Sequence, residues 1–195
     1  MPCQNEELRL ELLEMAAIDL KVRHELDRRG VLNDCYHPEM EAVHARNASR
    51  LKQILAEHGW PTRALVGDDG AESAWLIVQH AIGDPALQRT CLGLIQHATQ
   101  FGEVPLWQAA MLEDRIRMFE GRPQLYGTQL EIDPDGTLRP YLLEEPEQVE
   151  ERRTRVGLEP LAKRLAREQP VPQPADPERF AREYQAWLRR AGWRS

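Results

Sequence analysis

Three stretches of this chain each place one polar residue in the middle of a helical apolar stripe. Leu8, Leu12, Met15, Val22 and Leu26 share a face with Asp19 at its centre. Met40, Val43, Leu51 and Ile54 surround Asn47, and Met111, Leu112, Ile116, Met118 and Phe119 flank Arg115. A helix with a 3.6-residue apolar period turns that face to the core, and the polar residue goes inward with it. Buried charges are costly unless they are paired. The chain is therefore expected to fold as helices meeting around a shared polar interior, which serves either as an internal network or as a ligand site.

Gly and Pro punctuate the pattern. A first helix is predicted over 5–29, stopped at Gly30, with 31–37 as a loop. Pro38 suits a first helical turn, and a second helix runs to His58 before Gly59-Trp60-Pro61. The stretch 62–70 reads as a short apolar patch followed by a Gly-Asp-Asp-Gly turn, and a third, very apolar helix is placed at about 71–82. Asp84 and Pro85 make a good N-cap and first residue for a fourth helix, about 85–101, and a fifth runs from Pro105 to Glu120.

The period then switches to two. Residues 125–132 alternate, Asp133-Pro134-Asp135-Gly136 is a turn signal, and 137–143 returns as a strand, with Pro140 marking an edge. Short helices are expected near 146–155 and 159–168. The fold class is mainly α: a helical bundle with one small β-hairpin packed against it. The organisation reads as a helical domain at 1–168, a Pro-rich linker at 169–175 and a C-terminal amphipathic helix at 176–195. That last helix carries Phe180, Tyr184, Trp187 and Leu188 on one stripe. The stripe reads as a docking face, and the opposite cationic face could meet an acidic protein partner.

The net charge is −7 over 195 residues, with Arg and Lys scattered, so no nucleic-acid partner is expected. No apolar run reaches membrane-spanning length, and no membrane partner is expected. Cys3, Cys35 and Cys91 are odd in number and lack metal-ligand spacing, which points to reduced thiols and a cytoplasmic location. The N-terminus begins a charged amphipathic helix rather than a leader.

Arg115 is the sharpest anomaly, because a guanidinium pointing inward needs an anionic or acceptor-rich partner. Asp19 is the expected internal partner. The pair is either a structural ion pair or part of an anion clamp. His80, beside Gln79 and four residues before Asp84, is the acid–base candidate. The competing reading has Asp84 serving only as an N-cap and His80 bonding a backbone carbonyl. His80 and His97 fall too far apart on antiparallel helices to share an ion, and His37 and His44 with Glu41 make only a thin case, so no metal is expected. The polar run 124–129 offers Gln124, Tyr126, Thr128 and Gln129 for hydrogen bonding, and Gly127 permits a close approach. No nucleophile motif, phosphate loop, dinucleotide fingerprint or HExxH is present, so no cofactor is expected. Cys91 lies on the apolar stripe Leu87–Cys91–Leu94–Ala98 and reads as core.

The order of motifs is itself informative. Asn47, His58-Gly59-Trp60-Pro61, Gln79-His80-Ala81, Asp84-Pro85, Gln88, Asp114-Arg115, Pro123-Gln124-x-Tyr126-Gly127-Thr128-Gln129 and Arg152-Arg153 follow one another. This order resembles the bacterial proteins grouped as domain of unknown function 6624, over roughly residues 10–165. Ile82-Gly83 departs from the acidic residue that often follows Gln-His-Ala there. The resemblance implies one shared pattern and supplies no reaction or substrate.

The expectation is a small-molecule hydrolase or transferase with a buried polar pocket, binding a small polar or anionic molecule. His80, Asp114 and Arg115 are its catalytic candidates. Asp19, Asn47, Gln79, Gln88, Gln124, Tyr126 and Gln129 are its binding candidates. The alternative is a non-catalytic ligand-binding or protein-interaction module whose polar centre is structural.

Overall fold

Residues 3–32, 36–133, 136–169, 174 and 176–195 are described by the structure, a computed structural model. Among them the chain forms eight α-helices and one two-stranded antiparallel sheet, so the protein is mainly α. Helix α1 spans Glu6–Arg28, α2 Pro38–His58, α3 Arg63–His80, α4 Pro85–Thr99 and α5 Leu106–Phe119. The most extensive packing is α1 on α3, with α2 against both and α4 paired with α5.

Local chemistry explains these boundaries. Asn5 Oδ1 accepts from Leu8 N at 3.0 Å to open α1, and Asp84 Oδ1 accepts from Leu87 N at 3.0 Å to open α4. Each satisfies an amide that has no partner within its helix. Pro38 and Pro85 occupy first-turn positions. The third helix departs from expectation in where it starts: helical structure begins at Arg63 rather than near 71, and the expected Gly-Asp-Asp-Gly turn is reduced to a kink at its first glycine. Gly67 takes φ 75° and ψ 173°, a conformation that favours glycine, and divides α3 into a short first segment and a longer one that runs to His80. The Gly67 signal thus marks a real break, while Asp68, Asp69 and Gly70 after it are helical.

The hairpin is shorter than the alternation suggests. β1 is Leu130–Ile132 and β2 Leu138–Pro140, with Glu131 opposite Arg139. A further bridge joins Gln124 to Leu143. Residues 134 and 135 of the turn lie outside the described residues. The stretch from 124 to 129 is an irregular loop rather than strand because its amides bond a side chain, as described below.

A 3-10 turn at Pro146–Gln148 leads into α6 (Val149–Arg155), followed by α7 (Leu161–Leu165). Helix α8, Pro177–Ala191, is capped by Asp176, whose Oδ1 accepts from Arg179 N at 2.8 Å. Of the linker 169–175, residues 170–173 and 175 lie outside the described residues. Trp187, Leu188 and Trp193 are buried in the same core as Leu12, Leu51, Ile77 and Leu112. Trp193 Nε1 donates to Ile82 O at 2.7 Å, and Arg194 donates to the last carbonyls of α5 at Met118 and Phe119. The apolar stripe of α8 is thus turned onto the chain's own bundle. No helix among the described residues is long and apolar enough to cross a membrane.

Candidate functional site

Asp19 on α1 is fully buried, and two imidazoles from two other helices converge on it. Its Oδ1 lies 2.8 Å from His80 Nδ1, at the last residue of α3. Its Oδ2 lies 3.2 Å from His44 Nε2 on α2. The two rings are 5.3 Å apart, centre to centre. One ligand atom from each of Asp19, His44 and His80 lies within 4.8 Å of the other two. Tyr36, in the loop before α2, completes the line: its hydroxyl is 2.7 Å from His44 Nδ1. The Tyr36 ring meets Trp187 of α8 edge-on at 5.4 Å, so the C-terminal helix supports the cluster from outside.

The cluster is not internally satisfied. Asp19 Oδ2 and His44 Nε2 are buried and close, yet they are not aligned for a hydrogen bond and neither has another partner. Gln79, next to His80, is likewise buried with both carboxamide atoms unpartnered. Burial pushes the Asp19 carboxyl upward, but the two imidazoles outweigh it and hold the group ionised, below its usual range. Burial pulls His80 below the ordinary imidazole value; Asp19 opposes this, and Arg115 and His44 reinforce it. Burial raises the Tyr36 hydroxyl, with the charges of Glu41 and Asp19 adding to the effect.

A recess of about 210 Å³ opens beside the cluster, lined by Tyr36, Glu41, His44, Ala48, Lys52 and Ala81 among others. His44 is the cluster member on its wall. Lys52 pairs with Asp84 on the same rim. The expected neighbourhood of His80 is therefore corrected: its carboxylate partner is Asp19, from α1, while Asp84 caps α4 and meets Lys52.

The Asp19–Arg115 pair is also corrected. Asp19 faces the histidines, and Arg115 makes no ion pair among the described residues; its Nε is buried without a partner. Burial pulls the guanidinium down, Arg23 adds to that and Tyr184 opposes it, yet it stays charged at neutral pH. Its charge is felt at His80.

The remaining sequence candidates divide in two. Asn47 Nδ2 reaches Met15 O at 3.4 Å, tying α2 to α1 one turn from Asp19. Gln88 Nε2 donates to Val78 O and Gln79 O at 2.8 and 3.2 Å, closing the C-terminus of α3 below His80. Asp114, Gln124, Tyr126 and Gln129 belong to a separate knot. Asp114 accepts from the amides of Leu125, Tyr126 and Thr128 and from Thr128 Oγ1. Gln124 Nε2 donates to Gln129 O and Tyr141 O, and its Oε1 accepts from Gln129 N. Gln129 Nε2 donates to Thr128 Oγ1, and the Tyr126 carbonyl accepts from buried Arg153 at 2.6 Å. Gly127, at φ 66°, admits the Leu161 side chain, whose Cδ2 lies 3.2 Å from where a Cβ would stand.

Two members of the cluster are missed as site residues by the sequence: His44 figures there only with His37 and Glu41, in a case for a metal that is set aside, and Tyr36 does not figure. His44 follows Met40 by four residues and precedes Asn47 by three and Leu51 by seven, so it lies on the same inward face. That spacing was the available signal. Tyr36 lies in a loop and carries none.

The profile of a family of unknown function (DUF6624) matches residues 6–168, and the chain belongs to that family. The matched span includes Asp19, Tyr36, His44, His80 and Arg115 and stops before α8. No curated protein and no solved structure matches the chain.

Proposed function

We propose that the protein is a hydrolase or group-transfer enzyme for small polar or anionic molecules, and that Asp19, His44 and His80 form its reaction centre. The observation that carries this reading is the buried pair Asp19 Oδ2 and His44 Nε2, which face each other at 3.2 Å without hydrogen-bond geometry, in a cluster that borders a recess. A purely structural network pairs its buried polar atoms. In the chemistry proposed, the cluster takes the proton from an attacking water or hydroxyl and returns it to the leaving group. Asp19 orients both rings. In the imidazole form of this reading, His80 carries the proton, since its Nδ1 is engaged by Asp19. Arg115 supplies positive charge toward an anionic substrate group, and a cytoplasmic location accords with its free thiols. The cationic face of α8 is a further place for an acidic partner.

The test is a thermal-shift screen against phosphates, amino acids and nucleosides, with hits assayed for turnover. A ligand at a hundredfold its dissociation constant adds about 2.7 kcal/mol of stability. His80→Gln should stay within about 1 kcal/mol of wild type in stability and lose ligand binding or turnover. Severe unfolding of that variant would assign His80 to the scaffold instead.

A further inference from the structure

We infer that Asp19, His44 and His80 together bind one divalent first-row transition ion, with zinc the expected occupant. The inference deepens the reading above, because it names what the reaction centre holds.

Two imidazole nitrogens and one carboxylate oxygen are a donor set suited to such ions, and they leave coordination positions open for water or substrate. The spacing agrees. An ion about 2.0–2.2 Å from each donor holds neighbouring donors roughly 3–3.5 Å apart. Here each ring meets a different carboxylate oxygen, His80 Nδ1 at 2.8 Å from Oδ1 and His44 Nε2 at 3.2 Å from Oδ2, and one donor from each residue lies within 4.8 Å of the other two, so a small inward adjustment brings them to an ion.

Orientation carries the argument further. Asp19 Oδ2 and His44 Nε2 face each other at 3.2 Å without hydrogen-bond alignment, and neither has another partner. A cation between them would satisfy both lone pairs at once. Tyr36 supplies the outer contact expected of a liganding imidazole: its hydroxyl at His44 Nδ1 fixes the ring and leaves Nε2 for the ion. The three donors come from α1, α2 and α3, whose mutual packing sets the site before any ion arrives. With the ion bound, His80 is a ligand rather than the proton acceptor. The chemistry the ion supplies is acidification of water and polarisation of a carbonyl or phosphoryl oxygen.

The test uses the full chain, stripped with a chelator and titrated with Zn²⁺ by calorimetry and with Co²⁺ by visible absorption. One ion per chain is expected. His44→Gln and Asp19→Asn should abolish uptake, Tyr36→Phe should weaken it by about 10–100-fold, and His97→Ala, on the exposed face of α4, should leave it unchanged. The Co²⁺ form of the wild-type protein should also show two hyperfine-shifted imidazole N–H resonances, one from each ring. That readout stands even if a variant fails to fold. No uptake by the wild type, or uptake unchanged in His44→Gln and Asp19→Asn, would overturn the inference. Because these titrations read the ion and not turnover, their failure leaves the imidazole form of the enzyme reading in place. Equally, a metabolite screen without hits leaves ion binding standing.

Discussion

Asp19 and Asp114 are both buried carboxylates on inward helix faces, and their surroundings differ in one respect. Asp114 is wrapped by a loop: three backbone amides and one hydroxyl donate to it, and Gln124, Gln129 and Arg153 bond the rest of that loop's polar groups. Asp19 is approached only by side chains from other helices, and one of its oxygens faces a nitrogen with no hydrogen bond between them. Backbone amides are fixed donors that fill a carboxylate's lone pairs and leave nothing to exchange. Imidazoles can give up a proton or accept an ion. The first arrangement holds a chain path, and the second remains open to a ligand.

The largest expected effect falls on the Asp114 side of this comparison. Asp114→Ala leaves the amides of Leu125, Tyr126 and Thr128 and the Thr128 hydroxyl without their acceptor, and should cost about 3–5 kcal/mol in urea unfolding. Asp114→Asn, which keeps one acceptor oxygen, should fall between that variant and wild type. A loss below about 1 kcal/mol for the alanine variant would mean that the loop finds other acceptors, and the contrast with Asp19 would collapse.

Asp19→Asn should behave differently. In chelator-treated protein it removes a carboxylate that the two imidazoles hold ionised against the cost of burial, but keeps an oxygen for His80, so it should cost about 1–3 kcal/mol, less than Asp114→Ala. A loss as large as that of Asp114→Ala would place Asp19 among the scaffold residues and remove the distinction between the two carboxylates.

The sequence made both centres visible as anomalies and could not sort them. Asp19, Asn47 and Arg115 were legible because a polar residue in an apolar stripe is a one-dimensional signal, as was the cap at Asp84. Which polar residue meets which was not. Asp19 and His80 are 61 residues apart, and their contact depends on how α1 lies across α3, a geometry that periodicity does not encode. His44 shares a face with Asn47 but is overshadowed by the amide, and Tyr36 enters from a loop. The pairing of Arg115 with Asp19 followed from charge matching alone, and two histidines with better geometry displaced it. The Gly-rich stretch before residue 71 was half legible: Gly67 does break the helix, but the chain is helical on both sides of it. The run around Gly127 misled too: its alternation reads as strand from 125, but Asp114 and Gln124 take up its amides and hold 124–129 as an irregular loop.

The smallest effect concerns the same two helices at their exposed edge, where α1 and α3 are joined by a third carboxylate. Arg9 Nε and Nη2 reach the two oxygens of Asp69 at 2.7 and 2.5 Å, a two-point contact on the surface. Hydrogen bonds from Arg9 pull the Asp69 carboxyl down to about 2, against an unfolded value near 3.9. A carboxyl depressed in the folded state contributes stability that is fully present above its unfolded value and is lost as the pH falls toward the folded one. The Arg9–Asp69 contribution should therefore be intact above about pH 4 and should disappear between pH 4 and 2. Asp69→Asn should flatten that segment of the acid stability curve and leave the curve near neutrality almost unchanged, since solvent screens an exposed pair. High salt should shrink the difference between variant and wild type. A variant that instead altered Zn²⁺ uptake would show that this surface contact sets the α1–α3 register on which the Asp19 cluster depends, and the exposed and buried contacts of the two helices could no longer be treated as independent.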